Sequence, residues 1–313
     1  MSYSNPVFIP GPTNLPESVR RAIDLPTIDH RSPAFAEAMP KLFAGLRSIF
    51  ATRSPHIFVF PSTGTGGWEA TIANTLSPGD KVLACRHGVF SDKWIRMCEA
   101  FGLVVDVIEC DWRGPADPAL IEAALLADQN HAIKAVLATH NETATGVRSD
   151  LKAIRESIDR AEHNALFFVD GVSSIASMDF QMDAWGIDAA VTGSQKGFMM
   201  PAGLAIVAVS EKAIDAGKTA TLPRFFFDFK QMGQMTHQGG FPYTPPMQLL
   251  AGLQHSIDLL LAEGLDEVFS RHFKMGEGVR QAVSAWNLSL CCEDLQYASD
   301  TVTTIMVPEG FNA

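Results

Sequence analysis

Between residues 55 and 210 the sequence alternates short apolar runs with longer amphipathic runs. Seven apolar runs predict strands: "HIFVFP", "KVLACR", "VVDVIEC", "IKAVLATH", "ALFFVDG", "DAAVTGS" and "LAIVAVS". Helical patterns lie between several of them: "GWEATIANTL", "SDKWIRMCEAF", "PALIEAALLA" and "SDLKAIRESIDRAE". Strands that are apolar throughout are covered on both faces, and strands joined through helices run parallel. The alternation therefore predicts an α/β fold with a mainly parallel sheet sandwiched by helices.

The rest of the chain gives weaker patterns. The stretch "ATLPRFFFDFKQMGQMTHQGGFPYTPP" predicts an irregular aromatic loop that crosses a surface or an interface. The following "MQLLAGLQHSIDLLLAEGLDEVFSRHFKMGEGVRQAVSAW" has a long helical periodicity, and "DTVTTIMVPEG" predicts a strand. We expect an N-terminal arm at 1–20, a large α/β domain at 21–255, and the start of a smaller C-terminal α/β domain at 256–313. This last part looks incomplete.

Charge and cysteine use restrict the class of protein. The net charge of -11 and the isoelectric point near 5.2 leave no basic stripe to neutralise phosphates, which argues against nucleic-acid binding. The N-terminal sequence lacks the pattern of a secretion signal, and the apolar stretches are interrupted before the ~18 residues of a membrane span. The five cysteines form no CxxC pair, and the nine histidines show no metal-binding spacing. We therefore expect a cytoplasmic protein without metal, membrane or nucleic-acid partners.

Three candidate groups follow predicted strands. Asp170 ends the run "ALFFVD", and Lys196 follows "DAAVTGSQ". In "FPSTGTGGWEA" a strand passes into a helix, so backbone N–H groups and the hydroxyls of Thr63 and Thr65 can surround an anion. The segment has neither a Walker GK[ST] nor the dinucleotide GxGxxG spacing. Because ligands of such sheets bind at the carboxyl ends of the strands, we expect these groups to lie together.

Each group alone has an ordinary structural explanation. The segment at Thr63 could be a capped glycine-rich turn, Asp170 could cap the next turn, and Lys196 could point into water. Together they match the needs of pyridoxal phosphate: a lysine for a Schiff base, an aspartate that keeps the pyridine nitrogen protonated, and a helix end for the phosphate. An α/β nucleotide-binding protein, in which "STGTGG" holds a nucleotide phosphate and Lys196 is incidental, is the alternative.

Several motifs resemble those of one enzyme family. The segments "STGTGGWEA", "THNETATGV", "LFFVDGVSSI" and "VTGSQKGF" resemble the class V aminotransferases, in particular the serine–glyoxylate and aspartate–glyoxylate branch. The segments "FIPGPTNLP", "DHRSP" and "FPYTPP" extend the resemblance over nearly the whole chain. It implies a fold-type-I pyridoxal-phosphate enzyme that transfers the amino group of an L-amino acid to glyoxylate. Serine and aspartate are the favoured donors, and alanine is possible.

The resemblance implies a role for each matching residue. Lys196 would bond covalently to the cofactor and move the substrate proton, Asp170 would pair with the pyridine nitrogen, and Thr143 would bond to the ring hydroxyl. The other implied cofactor contacts are the phosphate cup of Thr63, Gly64 and Thr65, the phosphate contact of Gln195, the ring contacts of Phe90 and Val172, and Thr244, which would reach the cofactor phosphate of the neighbouring subunit. A homodimer with shared sites is therefore implied.

The implied substrate contacts centre on the N-terminal "PGPTN" loop. They are Pro10, Gly11, Pro12, Thr13, Arg31 and Thr143. Arg31 could bind an anion or form a structural salt bridge. Phe241 stands where several relatives carry a tyrosine that contacts the phosphate, so this position lacks the hydroxyl.

Family members continue past the position of Ala313 into a small domain with an "RIGH"-type arginine that binds the substrate carboxylate. We therefore expect a truncated form of a longer protein, or, as the alternative function, a pyridoxal-phosphate-binding homologue with impaired catalysis. Among other side chains, we expect His87 to be exposed or to cap a helix and His140 to hydrogen-bond in a loop. Cys291 and Cys292 are expected to pack in a strand.

Overall fold

A seven-stranded sheet runs through residues 8–311, the part of the chain that this computed structural model describes. The strands in chain order are β1 (Ile57–Ser62), β2 (Lys81–Arg86), β3 (Val104–Glu109), β4 (Ile133–Thr139), β5 (Asn141–Glu142), β6 (Val147–Arg148), β7 (Leu166–Asp170), β8 (Ala189–Gly193) and β9 (Gly203–Val209). β5 and β6 pair only with each other, and the other seven strands form the sheet. All seven strands predicted in the region 55–210 are present.

The order of the strands across the sheet is β1–β9–β8–β7–β4–β2–β3. β9 runs antiparallel to both of its neighbours and the other pairs are parallel, so the predicted, mainly parallel sheet is confirmed. β7 and β8 are buried along their whole length, which explains why their sequences are apolar on both faces. Thr139 pairs with Asp170, and Asp170 pairs with Val191. The carboxyl ends of β4, β7 and β8 therefore meet at one edge of the sheet.

Ten α-helices flank the sheet within the described residues. They are α1 (Glu17–Ile23), α2 (Pro33–Phe50), α3 (Gly64–Thr75), α4 (Val89–Ala100), α5 (Pro118–Ala127), α6 (Leu151–Arg160), α7 (Glu211–Ala216), α8 (Phe229–His237), α9 (Met247–Glu263) and α10 (Leu265–Ala285). The four helices predicted between strands correspond to α3, α4, α5 and α6. α3 packs against β1, β8 and β9, while α4 packs against β2, β3 and β4.

Helix α6 shows why the predicted helices form where they do. Leu151, Ile154 and Ile158 are buried at helical spacing, so one face of α6 packs on the core. The side chain of Asp150 accepts a hydrogen bond from the backbone N–H of Ala153 at 2.9 Å and so caps the helix N-terminus. Sequence periodicity and an N-cap residue together define the element.

The aromatic stretch 220–246 contains a helix where we predicted only a loop. Helix α8 begins after Asp228, whose side chain accepts from the backbone N–H of Gln231 at 2.7 Å. Phe229 and Met232 are buried on the inner face of this helix. The prediction of a loop was wrong there because the preceding phenylalanines obscured the capped, amphipathic pattern that starts at Asp228.

The strand predicted from "DTVTTIMVPEG" does not form. Ile305 makes a single antiparallel bridge with Leu290, and the residues around it are irregular. The predicted strand at Cys291 and Cys292 is also wrong, although the backbone N–H of Cys291 donates to the Thr304 carbonyl at 2.9 Å. A strand needs a paired neighbour along its length, and this segment finds one over a single bridge.

The predicted boundary at 255/256 falls within α9, and the division into domains remains a prediction. No helix between residues 8 and 311 combines the length and apolarity that a membrane span requires. The same range contains no cluster of three or more His, Cys, Asp or Glu side chains suited to a metal ion.

Candidate active site

Asp170 is the last residue of β7 and lies at the edge of the sheet where the parallel strands end. Its side chain is 4% exposed, and its Oδ1 accepts a hydrogen bond from the backbone N–H of Val172 at 2.9 Å. Burial raises the pKa of Asp170 to about 7, an effect that the nearby ammonium of Lys196 partly opposes. The buried carboxyl therefore favours its neutral form, and a cation placed beside it would favour ionisation.

Lys196 lies three residues beyond the end of β8, the strand next to β7. Its side chain is half-buried, and burial lowers the pKa of the amine, whereas the charge of Asp170 acts in the opposite direction. The Nζ atom donates to the carbonyl of Pro10 at 2.7 Å. The structure thus places Lys196 and Asp170 at the same end of the sheet, as predicted, and gives the lysine a raised share of neutral amine.

The N-terminal loop covers Lys196. Gly11 has a φ of +145°, which favours glycine, and a Cβ atom there would lie 2.4 Å from Lys196 Nζ, so a larger residue would displace the lysine side chain. The backbone N–H of Thr13 donates to the carbonyl of Gln195 at 3.1 Å, and Thr13 Oγ1 donates to the carbonyl of Lys196 at 3.3 Å. These bonds hold the predicted substrate loop, which also contains Pro12, directly over the lysine.

The N-terminus of α3 forms another wall of the site. Thr63 is the N-cap residue in an extended conformation, and its side chain makes no capping hydrogen bond. The side chains of Thr63 and Thr65 are exposed, and the N–H groups of the first helical turn have no partner within the helix. A Cβ at Gly64 would lie 2.4 Å from Val172 Cγ2, so the helix start packs directly against the residue that follows Asp170 by two positions. This arrangement is suited to binding an anion.

Thr143 and Phe90 lie on two further elements. Thr143 Oγ1 donates to Ser173 Oγ at 3.0 Å, which ties the β5–β6 hairpin to the loop after β7. Phe90 is the second residue of α4 and is half-buried, with Lys93 Nζ 5.1 Å from its ring centroid.

Three predicted residues are not joined to this group. Phe241 is buried, and its ring packs 6.2 Å from that of Phe35 in the core. Thr244 and Arg31 are exposed. Within the described residues, no hydrogen bond or ring contact joins Phe241, Thr244 or the Arg31 side chain to Lys196 or Asp170.

Three buried side chains near the site either differ in part from the expectations or were not anticipated. Of the two alternatives for His87, exposure is wrong: the residue is fully buried just before the start of α4, and burial lowers its pKa. Its Nε2 lies 3.4 Å from Ser149 Oγ. His140 hydrogen-bonds as expected, through Nδ1 to Ser174 Oγ at 2.9 Å, but it is buried and its pKa is lowered to about 3 by that burial. Sequence reasoning missed Glu142, which is fully buried; a carboxylate among small residues in "THNETATG" was the available signal.

The residues present fit pyridoxal phosphate. Gln195 Oε1 is buried and has no hydrogen-bond partner among the described residues, so this acceptor is left for a donor group of a ligand, and a phosphate oxygen would require the NH2 end of the amide. The unpaired N–H groups at the start of α3 suit a phosphate, and the carboxyl of Asp170 suits a protonated ring nitrogen. A half-buried amine with a lowered pKa suits covalent attachment to an aldehyde.

Comparison with known proteins gives consistent similarities. The sequence profile of the family Aminotransferase class-V matches residues 18–311. The chain is 56% identical over 313 residues to the L-aspartate–glyoxylate aminotransferase of Paracoccus denitrificans, covering 100% of this chain and 79% of that protein. It is 51% identical over 316 residues to the serine–glyoxylate aminotransferase of Hyphomicrobium methylovorum, covering 100% and 78%. The crystal structure of an alanine–glyoxylate aminotransferase from Nostoc sp. matches with a TM-score of 0.90 at 29% identity, covering 97% of this chain and 80% of that one.

Proposed function

Because the chain belongs to the class-V aminotransferases, we propose that it transfers an amino group from an L-amino acid to glyoxylate, forming glycine and a 2-oxo acid. The fold is that of the fold-type-I pyridoxal-phosphate transferases, and we propose pyridoxal phosphate as the cofactor. The observation that carries this proposal is the half-buried amine of Lys196 at the same end of the sheet as the buried carboxyl of Asp170.

The proposed role of Lys196 follows from its amine. When bound, pyridoxal phosphate supplies an electron-accepting ring that stabilises the negative charge left at the donor Cα after its proton is removed. The Nζ atom would hold the cofactor before the donor arrives, and afterwards it would take the proton from the donor Cα and deliver it to the C4′ carbon of the cofactor. Only the neutral amine can do this, and burial increases the neutral share. The loop at Gly11 and Thr13 keeps the amine away from bulk water.

The other residues hold and orient the cofactor in this proposal. Asp170 accepts a hydrogen bond from the protonated ring nitrogen, and Thr143 donates to the ring hydroxyl. Phe90 and Val172 pack on the ring. The phosphate contacts are the N-terminal turn of α3 at Thr63, Gly64 and Thr65, the side-chain NH2 of Gln195, and Thr244 from a second subunit.

The donor is an amino acid with a small or acidic side chain in this proposal. The two relatives above are named for aspartate and for serine, which supports these donors over others. Aspartate carries a second carboxylate and requires a further cationic group at the entrance. The exposed side chain of Arg31 is a candidate for that group.

Absorption spectroscopy of the purified protein tests the proposal. The visible absorption of the bound cofactor is recorded before and after adding serine, aspartate or alanine separately, and again after adding glyoxylate. We expect one donor to bleach the band and glyoxylate to restore it, with glycine appearing in the supernatant. Arg31→Gln should weaken the response to aspartate and leave the response to serine unchanged if Arg31 binds the second carboxylate.

Two other outcomes would contradict parts of the proposal. A normal band that no donor changes would leave a cofactor-binding protein without transamination. The absence of any band after addition of pyridoxal phosphate, together with thermal stabilisation by a nucleotide, would instead support the nucleotide-binding alternative.

A further inference from the structure

Glu142 is a fully buried carboxylate that lies between two walls of the site. We propose that it is a positioning residue, which fixes the start of α4, where Phe90 lies, relative to the β5–β6 hairpin that carries Thr143. The proposal rests on the function proposed above, in which Phe90 packs on the cofactor ring and Thr143 bonds to its hydroxyl. It assigns to Glu142 the task of holding these two contacts at a fixed separation.

The hydrogen bonds of Glu142 join the two walls directly. Its Oε2 accepts from the backbone N–H groups of Phe90 and Ser91, each at 3.0 Å. Its Oε1 accepts from the backbone N–H of Ala144 at 3.1 Å. Oε1 also accepts from the backbone N–H of Phe90, at 3.3 Å. The carboxylate therefore binds the first turn of α4 with both oxygens and the residue after Thr143 with Oε1.

The N-terminus of α4 takes the place of a cationic partner. No Lys, Arg or His side chain between residues 8 and 311 forms an ion pair with Glu142. A buried carboxylate is stabilised here by backbone N–H groups and by the positive end of the helix dipole. Helix α4 begins after Gly88, which has no side chain to cap it, so Glu142 provides the cap from a distant part of the chain.

Gly88 makes this contact possible. A Cβ atom at Gly88 would lie 2.1 Å from Glu142 Cγ and 2.3 Å from its Cδ, which is closer than real atoms approach. The side chain of Glu142 thus fills the space that any other residue at 88 would occupy. Burial is the main cause of the raised pKa of Asp170, and the charge of Glu142 adds to it, which places this carboxylate within electrostatic range of the site.

The first test replaces Glu142 by an isosteric amide. Glu142→Gln retains one acceptor oxygen but places an NH2 group against backbone donors, so the two walls lose their common partner. We expect the dissociation constant of pyridoxal phosphate to rise about tenfold or more, the size that follows from losing hydrogen bonds to a buried charged group. The visible circular dichroism per bound cofactor should also change, because it reports the orientation of the ring in its asymmetric surroundings.

Asp188→Asn is the matched control. Asp188 is also a buried carboxylate, and it accepts from the backbone N–H of Phe167 at 2.9 Å and from Ser210 Oγ at 2.7 Å. It precedes β8, however, and so lies at the amino end of this strand, away from the site. We expect this variant to lower the melting temperature while the cofactor affinity and the circular dichroism per bound cofactor stay at the wild-type values. Equal behaviour of Glu142→Gln and Asp188→Asn in both cofactor readouts would overturn the proposal.

A double-mutant cycle tests whether Glu142 affects cofactor binding through the position of Phe90. If Glu142 acts through the position of Phe90, Glu142→Gln should cost less cofactor affinity in a Phe90→Leu background than in the wild type. Fully additive effects would contradict an action through Phe90.

If Glu142→Gln does not fold, Gly88→Ala disturbs the same contact from the other side and must reproduce the loss of affinity. A wild-type protein that fails to bind pyridoxal phosphate would instead refute the proposed function, so the two failures are distinguishable.

Discussion

At the scale of single residues, the proposed chemistry depends on the protonation of Lys196 and Asp170. Burial raises the pKa of the carboxyl and lowers that of the amine, and in both cases the neutral form is favoured. A neutral amine is the nucleophile and the base that the reaction needs. The carboxyl becomes ionised when a protonated ring nitrogen is placed beside it, so the site binds the cofactor in the form that accepts electrons.

Lys196→Ala should abolish turnover, because it removes the Nζ amine that holds the cofactor and moves the proton in the proposed reaction. The Lys196 side chain is half-buried and donates to the Pro10 carbonyl in the covering loop, so we expect the fold to persist without it. The measurement is steady-state formation of glycine from glyoxylate with each donor. Lys41→Ala is the control, since Lys41 is an exposed lysine on α2 paired with Asp258 at 2.7 Å. Steady-state turnover in Lys196→Ala at the level of Lys41→Ala would refute the role assigned to Lys196.

Asp170 should make the stability of the cofactor-free protein depend on pH. Its pKa is about 7 when folded, against the ordinary value of 3.8, so the folded state binds more protons between these pH values and stability falls as pH rises through them. At about 1.4 kcal/mol per pKa unit, the full effect is on the order of 4 kcal/mol as an upper bound. Asp170→Asn should remove this slope.

Chemical unfolding of the cofactor-free wild type and of Asp170→Asn at several pH values between 5 and 8 measures the difference in slope. Asp179→Asn, which changes an exposed aspartate, provides the control and should retain the wild-type slope. Parallel curves for all three proteins would show that Asp170 is not the group responsible.

At the scale of elements, helix α3 must approach the sheet closely to present its N-terminus to a ligand. A Cβ at Gly64 would meet Val172 Cγ2 at 2.4 Å, and one at Gly67 would meet Val191 Cγ1 at 2.5 Å. Gly64→Ala should therefore displace either Val172 or the start of α3, with an overpacking cost of about 1–3 kcal/mol. Because both lie in the proposed cofactor site, we expect weaker binding of pyridoxal phosphate in a titration followed by absorption.

Gly278→Ala is the matched comparison for this prediction. Gly278 lies in α10, where a Cβ would meet no atom within 4 Å. The same substitution should stabilise this helix by about 0.5–1 kcal/mol and leave cofactor binding unchanged. If Gly64→Ala bound the cofactor as tightly as Gly278→Ala does, the close packing of α3 would not matter for the site.

The sequence predicted best those elements whose own residues form a recognisable local pattern. The seven strands of the sheet were predicted because strands buried on both faces are continuously apolar. The segment around Ile305 was mistaken for a strand because pairing with Leu290, a non-local event, stops after one bridge. Helix α8 was missed because its cap, Asp228, follows three phenylalanines that also suit a loop at an interface.

The site residues also divide into those with a local signal in the sequence and those whose partners are distant in the chain. Asp170 and Lys196 could be predicted because parallel strands bring their carboxyl ends to one edge. Glu142 could not, since its partners on α4 are 51 and 52 residues earlier in the chain and nothing local indicates which N–H groups it will meet.

At the scale of the whole molecule, the exposed aromatic residues before and around Thr244 suggest where a second copy binds. Phe225 is 77% exposed, and the rings of Phe226 and Tyr243 stack at 4.8 Å next to it. Aromatic residues of this kind are enriched in interfaces. We therefore predict that the protein sediments as a homodimer, with Thr244 of one subunit completing the phosphate site of the other.

Mixed dimers test whether the sites are shared. Lys196→Ala and Thr244→Glu, prepared separately, should each be inactive, the second because a carboxylate in the phosphate site of the neighbouring subunit repels the phosphate. After subunits exchange at equal amounts, half of the dimers are hybrids, and each hybrid has one site with both native residues. About a quarter of the wild-type activity per chain should then return, as symmetry and random exchange require. If Thr244 served the site of its own subunit, both sites in every hybrid would carry a substitution and mixing would restore nothing.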